Sequence, residues 1–526
     1  MQHTLPALLG RDRVEKEILE QGRNLFEKHK VQELQRQKQQ GLGRQIISME
    51  HKGYRFVAVG DRLHYGDWKT FFDFLTHYIK ETLGSEWGNA EIAKSLEERH
   101  PVMQWYAKVC RLQAAHAQEP GSVFSMPISG AISAYNRLAY NLYLIDHNGK
   151  DIQTRLIARL KNKDNFQGAF YETQVAAWLI KAGFELEFED ESDRTAKHCE
   201  FTAIYTATGE KYSVEAKSRE IETTNSSRAK VGRKLYQALE KEANFMRLIF
   251  LDLNKPLYSK EAAELALDRA ERIVRQSEGL TLHDKPAPAA YVCITNMNDQ
   301  YEADTSALST MISFCGFKIH DFMGDQFLSL REAARARERH WPMFQLLKSM
   351  EEHREIPPTF DGKLPSEAFV LNPPQRLQVG QFYTVPGPDG VEVNAQLMEA
   401  IVSNDKANCI LHDLATNKSW IGSFDMTPDE LADYVKHPDT YFGVYRRQTR
   451  KVETAMDMFD FLVDGYRDTP KERLIELLPN YADQESLRAM SQKELVEIFA
   501  EGYTRGAIAD GFNVKPPRNK PRPPSK

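Results

Sequence analysis

The segment between positions 170 and 217 contains three carboxylates and one lysine whose spacing allows them to act together. Glu172 lies three and four residues before Val175 and Ala176, on the apolar stripe of a predicted helix that ends at Gly183. A carboxylate on such a stripe faces a buried surface, where it is costly unless it is paired, hydrogen-bonded or bound to a metal. Glu172 is therefore the first candidate for a chemical role.

The other candidates lie on a predicted β-hairpin, residues 201–217. If the turn consists of two residues, Thr208-Gly209, opposed residues have numbers that sum to 417, and Glu200 faces Lys217. Glu215 projects to the same face because side chains alternate along a strand. A three-residue turn would break this parity. With the two-residue turn, two carboxylates and a lysine converge.

Carboxylates that converge repel one another, and a hard divalent cation relieves that repulsion. Mg²⁺ prefers one or two carboxylates together with waters and phosphate oxygens. Such an ion can lower the pKa of a bound water and neutralise charge that develops on a cleaved phosphodiester. A lysine beside it can orient or deprotonate the water, or stabilise the pentavalent transition state. The residues therefore favour metal-assisted hydrolysis of a phosphodiester.

The order of these residues resembles that of the PD-(D/E)XK nuclease superfamily. Its members share a helix with a Glu, a strand with an acidic residue, and a following strand that ends in (D/E)xK. Glu215-Ala216-Lys217 matches the last motif, Glu172 matches the helix, and Glu200 stands at the usual Asp position. A basic helix and the strand 247–252 follow in order. The resemblance covers residues 150–255, about a fifth of the chain, and is similar to the Holliday-junction-resolvase and restriction-endonuclease branches.

The resemblance implies a metal-dependent endonuclease that acts on DNA, with RNA not excluded as a substrate. The scattered cysteines, which show no disulfide framework, favour the cytoplasm as its compartment. Glu172, Glu200 and Glu215 would hold Mg²⁺, for which Mn²⁺ would substitute, and Lys217 would position or activate the attacking water. Restriction, repair, junction resolution and defence against phage are all compatible with these residues.

The sequence leaves open which residue is the first metal ligand and whether the site is catalytic. Asp190 and Asp193 are alternatives to Glu200, which is one methylene longer than Asp, although both lie in a polar run typical of a solvated loop. His198 could contribute to catalysis or be structural. The glutamates and Lys217 could also form an ordinary ion-pair cluster. The chain would then be a non-catalytic nucleic-acid-binding or scaffold protein with a nuclease fold.

Basic residues after the Glu-x-Lys strand are candidates for phosphate contacts, which supply affinity without sequence information. The alternative for them is a solvated helix face. The candidate nucleic-acid-binding residues are Arg219, Arg228, Lys230, Arg233 and Lys234. Two weaker basic strips are formed by Arg155, Arg159, Lys161 and Lys163, and by residues 331–339.

Other patterns predict the elements around the candidate site. Residues 54–65 form a predicted hairpin with its turn at Gly60-Asp61. The aromatic residues of a predicted helix at 68–83 could stack on bases, but their helical spacing favours a buried core. A module at 366–447 could be a peptide- or nucleic-acid-binding β fold. Its strand-like runs are 381–385, 408–414, 419–424 and 441–445.

The predicted fold class is multidomain α+β, with a central restriction-endonuclease-like α/β core in which helices flank a mixed sheet. The long flanking regions suggest a homo-oligomer or a protein partner. The predicted parts are a mostly helical N-terminal region with a β-hairpin at 1–125, a nuclease domain with a helical extension at 126–350, a small β-rich module at 366–450, a helical region at 451–512, and a basic, Pro-rich, disordered tail at 513–526.

Composition excludes several classes of protein. The chain has 69 Lys and Arg against 75 Asp and Glu, a net charge of −6, and 41% hydrophobic residues, so it is neither wholly disordered nor collagen-like. We expect no membrane association, because no secretory signal or apolar span is evident. Five scattered cysteines without a CxxC pair argue against a zinc site or a disulfide framework. No GxxxxGK[ST], GxSxG or HExxH motif occurs.

Overall fold

The structure, a computed structural model, describes most of the 526 residues of the chain. Only the backbone is described at 227–230 and at 366. The predicted tail, beyond residue 513, lies outside the described residues. The described residues are 22, 25–116, 122–124, 126, 128–149, 154–188, 199–218, 227–297, 310–323, 329–369, 376–446, 452–481 and 483–513.

The N-terminal part combines helices with a three-stranded antiparallel sheet. Its elements are α1 (25–40), β1 (Ile47–His51), β2 (Tyr54–Val59), β3 (Arg62–Gly66), α2 (Phe71–Leu83), α3 (Ser85–Ile92) and α4 (Pro101–His116). Strands β2 and β3 form the predicted hairpin, and Gly60, with a φ of 58°, lies in its turn. The sequence did not indicate β1, which pairs with β2.

Helix α2 places its aromatic residues in the core. Thr70 caps the helix in a reciprocal arrangement with Asp73, which fixes the helix start. Phe71 and Phe74 are 0% exposed and Tyr78 is 1% exposed, so these rings are not available for stacking on bases. The core interpretation of this segment is confirmed.

The central part of the chain is built around a six-stranded mixed sheet. Its elements are α5 (Gly130–Asn148), α6 (Thr154–Lys161), α7 (Lys163–Lys181), β4 (Phe184–Phe188), β5 (Phe201–Tyr205), β6 (Lys211–Ser218), α8 (Ser227–Leu239), β7 (Met246–Asp252), α9 (Lys260–Gln276), β8 (Thr281–Leu282), β9 (Lys285–Pro286), β10 (Ala290–Asn296), β11 (Met311–Phe317), α10 (Leu330–Arg339) and α11 (Trp341–Glu352). The strand order is β11-β10-β7-β6-β5-β4. Strands β6, β7 and β10 are parallel, and the outer pairs are antiparallel.

Helices cover both faces of this sheet. On one face, Tyr212 and Val214 of β6 and Phe250 of β7 pack with α5 and α7. On the other face, Ile249 and Leu251 of β7 pack with α8 and α9. Apolar side chains therefore alternate between two buried faces, as expected for parallel strands between helix layers. The coarse prediction, an α+β chain with a mixed sheet flanked by helices, is confirmed.

Helix α5 joins the central sheet to the N-terminal helices. It packs against α2, α4 and α7 and is buried along almost its whole length. One apolar cluster accordingly extends from Ile46 through α5 and the sheet to Phe360.

A four-stranded antiparallel sheet follows this central part, with the order β12-β13-β14-β15. The elements here are α12 (Pro365–Ala368), β12 (Phe382–Pro386), β13 (Glu392–Ser403), β14 (Lys406–Asp413), β15 (Lys418–Asp425) and α13 (Pro428–Lys436). Three of the four strand-like runs lie on β12, β14 and β15. The sequence did not indicate β13, whose alternation is interrupted by a register shift between Leu397 and Glu399.

The fourth strand-like run, 441–445, is not a strand. It forms turns, in which Gly443 has a φ of 73°. Tyr441 and Phe442 pack into the core of the β-rich module from these turns. The apolar run was misread because burial of aromatic side chains does not require a strand.

The last described residues form helices, as predicted for 451–512. These are α14 (Ala455–Tyr466), α15 (Lys471–Glu476), α16 (Gln484–Ala489) and α17 (Gln492–Ala509), and α10 packs against α14 and α17. Arg331 lies 2.6 Å from Glu501, and Arg337 lies 2.6 Å from Asp460. Two arginines of the basic strip at 331–339 therefore pair with carboxylates of the packed helices, and they are not available for the phosphate contacts considered for this strip.

The structure also describes the two features that composition raised, the apolar segments and the cysteines. Across the described ranges, no helix is both long and apolar enough to cross a membrane. The five cysteines are free thiols, and all but Cys110 are buried.

Phe74→Ala should lower the free energy of unfolding by about 3–5 kcal/mol, because it removes a fully buried ring and leaves a cavity. Urea unfolding followed by circular dichroism measures this change. Tyr65→Ala is the matched control: it removes a ring that is 67% exposed and should cost less than about 1 kcal/mol. Equal costs for the two variants would contradict the core position of Phe74.

Candidate functional site

The hairpin β5–β6 has a different turn from the predicted one. Phe201 pairs with Val214, so opposed residue numbers sum to 415, and residues 206–210 connect the strands. Gly209 has a φ of 75°, which favours glycine in this connection. Extending the register places Glu200 opposite Glu215, so the predicted pairing with Lys217 is wrong. The shift is two residues, however, and side chains of the same parity keep the same face.

The predicted convergence of two carboxylates and one lysine is present. Lys217 Nζ contacts Glu215 Oε1 and lies 3.7 Å from Glu200 Oε1. Lys241, in the connection between α8 and β7, places its Nζ 3.8 Å from Glu215 Oε1. We call Glu200, Glu215 and Lys217 the carboxylate cluster. Glu215 thus lies between two ammonium groups, of which the sequence indicated one.

Glu215 is buried more completely than its partners. Its side chain is 1% exposed, against 21% for Glu200 and 20% for Lys217. Both its oxygens are buried without a hydrogen-bond partner among the described residues, and the two lysine contacts to Oε1 are ion pairs. Burial, followed by the negative charge of Glu200, raises the pKa of Glu215 to about 7.

Lys217 stays protonated in this environment. Burial acts to lower the pKa of its ammonium group, but the adjacent charges of Glu215 and Glu200 outweigh burial, and the pKa is raised above its usual value. An ammonium group in this state donates hydrogen bonds and offsets negative charge; it does not accept a proton.

Glu172 belongs to a separate ion pair. It is 4% exposed on α7, which confirms its predicted inward direction, and its carboxylate contacts Nη2 of Arg159 on α6. Helix α7 covers the face of β6 on which Ala216 packs, whereas Glu215 and Lys217 project from the opposite face. The structure therefore brings Glu172 near the carboxylate cluster from the other side of β6.

A polar cleft of about 260 Å³ connects these groups. Glu172, Glu200 and Lys217 line it, and so do Arg159 and Lys234. Asp164 also lines the cleft, so three basic side chains and three carboxylates face one open space. An anionic ligand with a bound cation would match this combination of charges.

The metal-ligating capacity of the site depends mainly on Glu200 and Glu215. Among the described residues, no group of three or more His, Cys, Asp or Glu side chains is arranged to hold a metal ion. Two carboxylates do suffice for Mg²⁺, which keeps several waters. The two buried oxygens of Glu215 without hydrogen bonds are donors of the type that Mg²⁺ prefers. These residues fit a divalent cation.

The predicted basic residues have different positions relative to the cleft. Lys234 lines it, and Arg233 is exposed on the same helix, α8. Arg228 and Lys230 lie on α8, but their side chains are outside the described part, as is Arg219. Asp190, Asp193 and His198, the alternatives considered for the site, also lie outside the described residues.

Sequence reasoning missed Lys241 and Asp252. Asp252 ends β7, is 1% exposed, and accepts hydrogen bonds of 3.2 Å from Ser218 Oγ, Thr295 Oγ1 and the Met297 backbone N–H. Burial raises its pKa to about 7, although these hydrogen bonds act in the opposite direction. The signal for Asp252 was a carboxylate at the end of an apolar parallel strand, where open α/β sheets place polar groups. Lys241 had no such signal.

Comparison of this chain with protein-family models, curated proteins and solved structures finds no match. The contacts described above are therefore the observations from which its function can be inferred.

Glu215 makes the stability of the metal-free protein depend on pH. A carboxyl group with a raised pKa in the folded state contributes stability that is present below its unfolded value, 4.5, and lost as pH rises through the folded value, about 7. Between pH 4.5 and 7 the melting temperature of Glu215→Gln should therefore rise more, or fall less, with increasing pH than that of the unsubstituted chain. Asp252, also with a pKa raised to about 7, acts in the same direction as Glu215 in both proteins. Burial lowers the pKa of His100, His353 and His437 to about 4, and these groups act in the opposite direction in both proteins. Calorimetry in EDTA measures both slopes, and equal slopes would contradict the assignment.

Proposed function

We propose that this chain is a metal-dependent endonuclease that hydrolyses phosphodiester bonds of DNA. The observation that carries the proposal is the position of Lys217, which contacts Glu215, lies 3.7 Å from Glu200 and lines a cleft shared with Glu172. This is the set of residue types that metal-assisted phosphodiester hydrolysis requires.

The topology around the site supports a nuclease core of the PD-(D/E)XK type. The elements α7, β4, β5, β6, α8 and β7 follow one another as helix, three antiparallel strands, helix, and a strand parallel to β6. The candidate residues lie on the helix, before the second strand and on the third strand of this series. This part of the argument is an analogy of fold and adds to the chemistry of the site without replacing it.

Glu200 and Glu215 would hold the divalent cation, Mg²⁺ or Mn²⁺, with Glu172 as a third ligand. When bound, the cation would lower the pKa of a water and offset charge that develops on the phosphate. The protonated Lys217 would orient that water or donate a hydrogen bond to the phosphate. Lys241 neutralises part of the charge on Glu215 from the opposite side.

Substrate affinity would come from basic residues around the cleft. Lys234 lines the cleft and Arg233 is exposed one residue earlier on α8. Positive side chains at these positions suit contacts to phosphates along a DNA backbone, and such contacts do not read sequence.

A second candidate function is non-catalytic binding of nucleic acid. The specific observation in its favour is that Glu172 and Glu215 are each already paired with a basic side chain. Such pairs would also stabilise a fold that has no need of a metal. The two functions differ in one property: catalysis requires the cation, and binding alone does not.

The decisive experiment is a cleavage assay with the full chain on supercoiled, linear, single-stranded and branched DNA and on RNA. Reactions with Mg²⁺, Mn²⁺ or EDTA should show cutting only when a metal is present. Binding without cutting in every condition, independent of metal, would support the non-catalytic alternative and refute the nuclease.

Glu215→Ala and Lys217→Ala should each reduce the cleavage rate by at least about 100-fold, because Glu215 would hold the cation and Lys217 would act at the attacking water or the phosphate. Lys211→Ala is the matched control: it removes a lysine at the start of the same strand, where the side chain is 40% exposed, and should keep full activity. Melting curves would establish that all three variants fold. Full activity of a folded Lys217→Ala protein would refute the mechanism.

A further inference from the structure

We propose that Arg159 is the phosphate-binding arginine of this cleft and that it exchanges its present partner, the Glu172 carboxylate, for a phosphate oxygen of the substrate. The inference rests on the proposed function, because it assigns a role within the same cleft. It adds a residue that touches the substrate and a reason for the position of Glu172.

Arg159 is held at the cleft by a short, amphipathic helix. Leu156 and Leu160 of α6 are each 1% exposed and anchor this helix in the large apolar cluster. Arg159 lies on the same helix but lines the cleft, and its side chain is 27% exposed. Its backbone is therefore fixed by packing while its guanidinium group is accessible from the solvent side of the cleft.

The ion pair between Arg159 and Glu172 neutralises a buried carboxylate. The two residues are on different helices, thirteen positions apart, so the pair is not a consequence of helical spacing. Glu172 is 5% exposed in its side chain, and a carboxylate buried to this extent needs a positive partner. Arg159 supplies that charge in the metal-free protein.

A guanidinium group binds carboxylates and phosphates with the same planar fork of donors. A divalent cation bound by Glu200 and Glu215 would attract the Glu172 carboxylate and so compete with Arg159 for it. Once Glu172 turns to the cation, the Arg159 side chain faces a polar cleft together with Lys217 and Lys234. A phosphate oxygen is the anion that the proposed reaction brings to this place.

The exchange predicts that metal binding and catalysis respond in opposite directions to the same substitution. In Arg159→Ala, Mn²⁺ binding without DNA should become about fivefold tighter, equivalent to about 1 kcal/mol, because the Arg159 guanidinium group no longer competes with the cation for Glu172. Cleavage at saturating Mn²⁺ should fall by about 100-fold, because the phosphate loses a charged donor. A merely structural role would weaken both properties together.

The measurements are isothermal titration of the full chain with Mn²⁺ alone and cleavage of the preferred DNA at saturating Mn²⁺. Arg473→Ala is the control, since it removes an arginine whose side chain is 63% exposed on α15 and does not line the cleft, and it should leave both values unchanged. Arg159→Lys keeps the positive charge and the fold. It should keep the Mn²⁺ affinity of the unsubstituted chain but cleave more slowly, because Lys lacks the planar fork.

The outcomes separate this inference from the proposed function. If the unsubstituted chain cleaves DNA and Arg159→Ala or Arg159→Lys cleaves at the same rate, the role of Arg159 is refuted and the nuclease stands. Unchanged or weaker Mn²⁺ binding by folded Arg159→Ala also refutes the exchange. If the unsubstituted chain neither binds Mn²⁺ nor cleaves, the proposed function and this inference both fail.

Discussion

The burial of Glu215 is the constraint on which the site depends. Its side chain is 1% exposed, and its two oxygens have no hydrogen-bond partner among the described residues. An ionised carboxylate in this position is stable only beside positive charge, which Lys217 and Lys241 provide from two directions. The pairing of β6 with β5 and β7 fixes the strand on which Glu215 and Lys217 lie. The segment after α8 brings Lys241 to Glu215.

Asp252 is a second buried carboxylate of the same sheet, and its hydrogen bonds give it a structural role. It lies on the neighbouring strand and is equally buried, yet it accepts hydrogen bonds from β6, from β10 and from the segment that follows β10. Those bonds join the ends of the three parallel strands. The two acids therefore differ in their hydrogen bonds. Two side chains and a backbone N–H donate to the Asp252 carboxylate, whereas the Glu215 oxygens accept none among the described residues and keep lone pairs for a ligand.

Local periodicity was enough to predict which side chains share a face, and it was not enough to predict contacts between elements. The inward direction of Glu172 and the shared face of Glu200, Glu215 and Lys217 follow from helical and strand spacing, and the structure has both. The register was wrong by two residues because the sequence does not fix the length of a connection.

Arg159 was assigned to a basic strip and Lys241 was not noticed, because both act across elements far apart in the chain. Nothing in the spacing of residues along one helix or strand indicates such a partner. The position of Glu172 on the α7 side of β6 was missed for a related reason: strand alternation states which side chains share a face, but not which helix covers that face.

Helix α5 has a consequence for any attempt to isolate the part of the molecule that contains the candidate site. Its residues are buried on all sides, against α2 and α4 as well as against α7. A fragment that began at this helix would expose an apolar surface that the N-terminal helices normally cover, and it would tend to aggregate. Helices α2 and α4 are therefore folding partners of the sheet, and the smallest soluble unit that carries Glu172 and Lys217 must include them.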